Sequence, residues 1–436
     1  MPIETAHPSA YRIERAAPLS GRLRVPGDRL AAHLALAAAV LAEGETVLEG
    51  LPQTPEFAAS LAVVAALGPR VRAEGGRASI HGLGLRGLLA PVGIIDPGSG
   101  DLTAALGLGL AGILPMPTRW SPSGGRLPAA LEAPLRAFGA MVEPHEDRTQ
   151  PFLVGGPRVP APVALRPAGE AEAFLAILAC LVTPGISRLQ LPADLASALA
   201  GPLRAFGADI ALKGEGPERT LSVTGLTPLA ARRFAVAGDP AEAAWAALAA
   251  LIVPKSDVTI ENVLVTPART ALIDALLEMG GNIEFANQRE EAGEHIADLR
   301  VRSSFLRGTA LPEARALGAG GLAALAVAGA YAKGETRLPA TADFRILAAG
   351  LQEAGMDCVF ENGTALITGR RTLAGGVELT ARDARSALAL AVLALGADRP
   401  TTVAFAGAGE EGWPPLLSSF SQIGARLEPI APKEAS

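Results

Sequence analysis

Cysteine, histidine and aromatic residues are scarce in this 436-residue sequence, and each shortage argues against a class of protein. Cys180 and Cys358 are the only cysteines, far apart and both in apolar stretches. That argues against a disulfide-stapled secreted scaffold and predicts two buried thiols in a reducing cytoplasm. The five histidines are His7, His33, His81, His145 and His295, and none stands beside another histidine, a cysteine or a paired carboxylate at metal-ligand spacing. No metal site is therefore expected, and His145 and His295 are read as solvated loop residues. Aromatics make up 4% of the chain, no Lys/Arg stripe interleaves with them, and the net charge is −6. Nucleic acid is accordingly not an expected partner. The apolar runs LTAALGLGLAGI (102–113) and AAWAALAALIV (243–253) are too short to cross a bilayer, despite a mean hydropathy of +0.31. No charged-then-apolar leader opens the chain, so neither a membrane nor export is expected.

What is abundant is small and aliphatic. Hydrophobic residues make up 49%, alongside 49 glycines and 35 prolines. Such a composition suits many short helices packed on sheets, and the length is enough for two large domains.

An internal repeat organises the chain. Six times an apolar helix end meets a glycine and then a strand start: VVAALGPRV (63–71), LRAFGAMVE (135–143), LRAFGADIA (203–211), LLEMGGNIE (276–284), LQEAGMDCV (351–359) and FSQIGARLE (420–428). The glycines, Gly68, Gly139, Gly207, Gly280, Gly355 and Gly424, lie 71, 68, 73, 75 and 69 residues apart. Glycine is the residue that lets a chain leave a helix through a left-handed conformation, and a fixed period near 70 signals a duplicated supersecondary unit. About thirty residues before these glycines a second signature recurs, a helix end followed by a tight turn and a β-rich strand. It reads AEGETVLEGLP (42–52), VTPGISRLQLP (182–192), VPKSDVTIENV (253–263) and AKGETRLPA (332–340). Each unit thus holds about two helices and several strands, and three units make a domain. The expected division is residues 19–230 for one domain and 1–18 plus 231–436 for the other. The chain would cross twice between them, with a ligand-binding cleft at the junction.

The stretch VPGDRLAAHLALAAAVLAEG (25–44) reads as a strand end, a Pro-Gly-Asp turn, an arginine and a helix. Such a turn presents backbone N–H groups and a cation, as proteins do for phosphates and carboxylates.

Six units in two three-unit domains resemble the enolpyruvyltransferases, implying an α/β (α+β) fold of repeated βαβαββ-type units. The run VAGDPAEAAWAALAALIVPKSDVTIENVLVTPARTALIDALLEMGGNIEF (236–285) is more specific. With ADLRVRSSFLRG (297–308) and VPGD (25–28), it resembles the 5-enolpyruvylshikimate-3-phosphate (EPSP) synthase family, in particular the bacterial forms called class II. The resemblance runs from Leu19 to about Ile430. It implies transfer of the enolpyruvyl group of phosphoenolpyruvate to the 5-hydroxyl of shikimate 3-phosphate in the shikimate pathway. That reaction uses no cofactor. It needs many cations and hydroxyls to hold two anions, and positioned acids and bases to move protons.

Few of these groups are present. The family's Pro-Gly-Asp-Lys-Ser turn reads Pro26, Gly27, Asp28, Arg29, Leu30, and a serine and an arginine that grip shikimate phosphate fall on Leu30 and Leu34. His33 persists on an apolar helix, where a packed or capping side chain is expected. The phosphoenolpyruvate loop Gly-Asn-Ser-Gly-Thr reads Pro97, Gly98, Ser99, Gly100, Asp101, and an arginine after it is Ala104. Asp101 is favourable to a helix N-terminus, a role that excludes anion binding there. The next motif falls on 119–128, with Arg126 at the carboxylate-binding arginine and Trp120 and Pro122 in place of Asp and Ser. The cluster that holds the shikimate ring falls on GEAEAF (169–174), where Glu170 and Glu172 carry the wrong sign. A further run falls on LASAL (195–199), with only Ser197 able to hydrogen-bond. The family's essential aspartate falls on Gly320, and a loop bearing a second acid is about eight residues short near 340. The Asp-His-Arg motif reads Asp383, Ala384, Arg385, and the late Ser/Thr-Phe-Pro motif reads Gly412, Trp413, Pro414.

No catalytic residue is carried over. Arg29, Arg126 and Arg385 remain as anion-binding candidates, with Gly98, Ser99, Ser197 and Asp383 as weaker ones. Three readings stand: a non-catalytic homologue that binds or regulates a partner such as an intact synthase; an enzyme still performing the transfer; and a binder of phosphoenolpyruvate or another small anion.

Overall fold

In this computed structural model the described residues are 8–112, 114–115, 117–121, 129–143, 152–157, 159–266, 269–291, 293–311, 317–405 and 413–430. Contacts divide the chain into two units. The first is Gly27–Ala237 with Glu290–Glu294, and the second is Met1–Pro26, Gly238–Arg289 and His295–Ser436. The sequence reading placed the joints at 18/19 and 230/231.

The described residues hold twelve α-helices, two per repeat. They are α1 (Arg29–Leu41), α2 (Pro55–Ala66), α3 (Asp101–Ala111), α4 (Ala129–Ala137), α5 (Glu170–Val182), α6 (Ala193–Ala205), α7 (Pro240–Ile252), α8 (Ala271–Glu278), α9 (Ala319–Tyr331), α10 (Ala342–Glu353), α11 (Ala384–Leu395) and α12 (Pro415–Phe420). The first helix of each pair is rich in Ala, Leu and Val and is buried along most of its length. Helices apolar on every side cannot lie on a surface. In the first unit α3 therefore packs against α1 and α5, and in the second α7, α9 and α11 pack on one another. Glycine permits close approach where needed: a Cβ on Gly107 would lie 2.5 Å from the Trp120 ring.

The described residues form six sheets, one per repeat. The third repeat shows the full pattern: Ala164–Leu165 runs parallel to Gly185–Pro192, which pairs antiparallel with Glu218–Gly225, which pairs antiparallel with Asp209–Lys213. Other repeats borrow strands. Leu229–Ala230 and Arg233–Ala235 supply the parallel partners of Ala42–Glu49 in the first repeat. Ser20–Arg24 does the same for Asp257–Leu264 in the fourth. In the fifth the lead strand shrinks to isolated bridges at Arg307 and Ala310. In the sixth, Ala10–Ile13 fits between Thr401–Phe405 and Leu427–Ile430, so the N-terminal segment without a repeat of its own completes the last sheet.

All six repeat glycines have φ between +87° and +106°. In five of them the amide after the glycine bonds the carbonyl five residues back, as in Ala208 to Leu203 and Met356 to Leu351. This closes the helix end with its carbonyls satisfied. Both cysteines are buried, and burial pushes the Cys180 thiol up to about 12 and the Cys358 thiol up to about 11. His295, expected in a loop, instead lies exposed in the strand Glu294–Arg302, because strand pairing continues past it. His145 lies outside the described residues. No helix among the described residues is long and apolar enough to cross a membrane.

Candidate functional site

The Pro26–Arg29 turn is built by backbone geometry. Asp28 is the N-cap of α1, its Oδ1 accepting the Ala31 N–H at 2.9 Å, and its own N–H donates to the Ala237 carbonyl at 2.8 Å. A Cβ on Gly27 would lie 2.1 Å from the Gly50 carbonyl oxygen, so only glycine fits. The turn keeps the form of an anion cradle, but its cation is occupied.

Arg29 begins α1, and its guanidinium meets three carboxylates. Nη1 donates to both Glu56 oxygens at 3.2 Å and to Asp101 Oδ1 at 3.1 Å, and Nη2 donates to Glu170 Oε1 at 3.3 Å. The three acids stand in the first turns of α2, α3 and α5. Carboxylates are favourable at helix N-termini, so the helix starts hold the acids while the acids hold the arginine. Burial pulls the Arg29 pKa down, but Glu56, Asp101 and Glu170 together outweigh it and the net direction is up. Glu56 also fills the space beside Gly100, where a Cβ would lie 2.6 Å from its Cγ.

His33 is fully buried one turn along α1. Its Nδ1 lies 2.7 Å from the Arg29 carbonyl and its Nε2 lies 2.9 Å from Ser60 Oγ. A carbonyl can only accept, so Nδ1 carries the proton and the Ser60 hydroxyl donates to Nε2. Ser60 Oγ in turn accepts from Thr103 Oγ1 at 2.7 Å, and the Glu56 carbonyl lies 3.1 Å from the same threonine oxygen. Phe57 and Phe174 pack edge-on against the ring. Burial above all lowers the His33 pKa to about 4. The imidazole therefore stays neutral at pH 7 and ties α1 to α2 and α3.

Other candidates of the first unit are used locally. Gly98 (φ +67°) donates its N–H to Asp96 at 2.8 Å, and Ser99 is exposed. Ser197 Oγ donates to the Ala193 carbonyl within α6 at 2.9 Å. Trp120 is fully buried, its Nε1 donating to Thr118 Oγ1 at 2.7 Å. Arg126 and Pro122 lie outside the described residues, as does Gly412.

In the second unit Arg385, Asp383 and the start of α9 line one cavity of about 540 Å³, with Asp343, Glu353 and Arg382. Asp383 caps α11 in a reciprocal box: its Oδ1 accepts the Ser386 N–H at 2.7 Å, and Ser386 Oγ accepts the Asp383 N–H at 3.0 Å. Arg382 and Arg385 are exposed and make no ion pair with a described carboxylate. A Cβ on Gly320 would meet only Arg385 Cδ, at 3.9 Å, so a side chain fits there and none is present. Near 340 a single residue, Ala340, separates the strand Glu335–Pro339 from the α10 N-cap Thr341. Asp343 lines the cavity, whereas Arg345 stacks on Phe360 at 4.5 Å.

Sequence reasoning missed Glu56, Ser60, Thr103 and Arg382. Glu56 follows Thr54-Pro55, a helix-start signature that marks a first-turn acid. Nothing local marks Ser60 or Thr103, which matter only because α2 and α3 bring them to His33.

Paired helices over six sheets are the architecture of enolpyruvyl transferases. The structure superposes on EPSP synthase from Acinetobacter baumannii with a TM-score of 0.85 and 25% identity, covering 96% of this chain and 99% of that one. It also superposes on the enolpyruvyl transferase NikO from Streptomyces tendae, with a TM-score of 0.72 over 97% of this chain and 99% of that one. At 19% identity that likeness bears on the fold alone. The sequence matches the EPSP synthase (3-phosphoshikimate 1-carboxyvinyltransferase) family over residues 13–106 and 129–419, and the chain belongs to that family of transferases. It is similar to the 3-phosphoshikimate 1-carboxyvinyltransferase of Methylorubrum populi, at 35% identity over 97% of each chain. It is likewise similar to that of Pseudomonas sp. (strain PG2982), at 33% identity over 97% of this chain and 98% of the relative.

Proposed function

We propose that this chain is a non-catalytic member of the EPSP synthase family. The observation that carries the reading is the enclosure of Arg29. One positive charge faces Glu56, Asp101 and Glu170, so the formal sum is +1 − 3 = −2. A site for two phosphorylated anions needs the opposite sign, and these carboxylates occupy the helix starts that would otherwise attract an anion. The glycine at 320 supports the same reading, since no acid stands there to exchange a proton. One positioned acid or base contributes roughly 10²–10⁴ in rate. Phosphate release from phosphoenolpyruvate and shikimate 3-phosphate tests it. No release above the protein-free blank is expected, and sustained turnover would restore the reading of an active transferase.

A second reading concerns the other half. Arg382 and Arg385 line a cavity that Asp343, Glu353 and Asp383 also line, but neither arginine pairs with a described carboxylate, which leaves both guanidiniums available to a small anion such as phosphoenolpyruvate there. Thermal shift with phosphoenolpyruvate alone tests it. A rise in melting temperature that Arg385→Ala removes is expected, and no rise rejects it.

A further inference from the structure

The second unit carries another cavity, of about 810 Å³, at the C-terminal ends of α7 and α9. Ala319 at the start of α9 lines the Arg385 cavity and Tyr331 at its end lines this one. Thirteen residues of helix separate the two by about 20 Å of rise. The residues argued above to face substrate in the family are thus at the far end of the helix.

Four cations line the cavity, Lys255, Arg307, Lys333 and Arg371, and no acidic residue does. None of them pairs with a described carboxylate. Cations near helix C-termini offset the negative ends of the dipoles, which accounts for Lys255 after α7 and Lys333 after α9. It does not account for Arg307 and Arg371, which come from other segments, nor for the aromatic ring among them. Phe305 is 83% exposed, and the Arg371 guanidinium lies 5.2 Å from its ring centroid.

This ring sits on a pinned segment. The Ser303 and Ser304 amides donate to Ser256 and Leu251, the Arg307 amide donates to Met279, and the Gly308 amide donates to Lys333. Leu306 beside it is buried. Backbone bonds on both sides fix where the chain carries Phe305, and its exposed ring offers a stacking platform. A base stacked on an aromatic side chain strengthens binding by about tenfold or more. Four unpaired cations ask for several negative charges on one ligand, more than a single carboxylate brings.

We propose that this cavity binds a nucleoside polyphosphate, its base stacked on Phe305 and its phosphates held by Lys255, Arg307, Lys333 and Arg371. The site is independent of the transfer chemistry, so an inactive enzyme and a nucleotide-binding one are compatible. Calorimetric titration of the full chain with ATP, sodium triphosphate and adenosine separates the two contributions. ATP is expected to bind, triphosphate about tenfold more weakly, and adenosine alone to give no heat. Phe305→Ala should reduce ATP to the triphosphate level, and Lys333→Ala with Arg371→Ala should weaken both. These side chains are exposed, and unchanged melting curves confirm that the variants fold. Absence of heat from ATP, equal binding of triphosphate and ATP, or ATP binding that survives the double substitution would each overturn the proposal.

Discussion

The two halves of the chain treat their charges at helix starts in opposite ways. In the first half Arg29, Glu56, Asp101 and Glu170 close on one another, and behind them His33, Ser60 and Thr103 are hydrogen-bonded in one buried chain. In the second half the helix starts also carry acids, Glu242, Asp343 and Asp383, but among the described residues they do not close on an arginine. Arg382 and Arg385 face a cavity without an ion partner among the described residues, and Glu242 in the first turn of α7 has a buried Oε2 with no hydrogen bond. The turns that start α1 and α7 are both Gly-Asp with the aspartate as N-cap, so the backbone device is common and only the side chains differ. A scaffold built on helix N-termini has a standing affinity for negative charge, and that demand can be met by a ligand or by the protein's own carboxylates. The first half meets it internally.

The largest expected effects come from two groups whose shifts fall within the working pH range, Glu242 and His33, and they have opposite signs. Burial, with Asp239 adding to it, raises the Glu242 carboxyl to about 7 from an ordinary 4.5. A raised acid favours the folded state below 4.5, and that stability is lost as pH rises through 7. Glu242→Gln should therefore stabilise the protein at pH 8 by about 3 kcal/mol relative to its effect at pH 4, at 1.36 kcal/mol per pKa unit. His33 is the mirror case. Its pKa falls from 6.5 to about 4, so its contribution is present above 6.5 and is lost as pH falls through 4. His33→Gln should flatten that acid loss by about 3 kcal/mol. Urea melts across pH check both, and parallel pH profiles for wild type and variants would remove the contrast.

Opening the first half is the next test. Glu56→Gln, Asp101→Asn and Glu170→Gln together should free Arg29 for an anion. Phosphoenolpyruvate should then raise the melting temperature more than in the wild type, and a ligand at 100 times its Kd adds about 2.7 kcal/mol. An equal shift in both proteins would mean that the carboxylates are not what keeps Arg29 from ligands.

Removing the cations gives a smaller difference. Arg29→Met should cost about 1–2 kcal/mol, because it leaves three partly exposed carboxylates clustered without their partner. Arg385→Met should stay within about 0.5 kcal/mol, as surface substitutions usually do. Denaturant melts at low salt decide this, and equal costs would deny that the halves differ.

The smallest effect comes from closing the second half. Gly320→Asp places a carboxylate in the first turn of α9 beside Arg385, where a Cβ meets nothing closer than 3.9 Å. Better helix propensity and the helix dipole should add about 1 kcal/mol. Any thermal shift with phosphoenolpyruvate should shrink at the same time. A destabilised variant would show that the α9 start does not accept an acid.

Much of the fold was legible in order of residue number. The six glycines mark helix ends because the left-handed exit is a local backbone requirement, and all six have positive φ. The apolar helices were legible because residues buried on every side leave no polar stripe. Strand borrowing was less so: Ala10–Ile13 pairs with strands about 400 residues away, and no local pattern specifies its partner. The sequence marks Asp101 as a negative charge where an anion should sit and Glu170 as the wrong sign in its cluster, but not as partners of one arginine.

The sequence by itself determined the repeat, the helix starts and exits, the aliphatic core and which polar residues are missing, since each depends on neighbours within a turn or two. Only the tertiary structure decided what the remaining charges do. Arg29 meets acids 27, 72 and 141 residues away, and Arg385 meets none among the described residues. Coulombic pairing depends on distance in space, and distance in space is set by how the core helices pack.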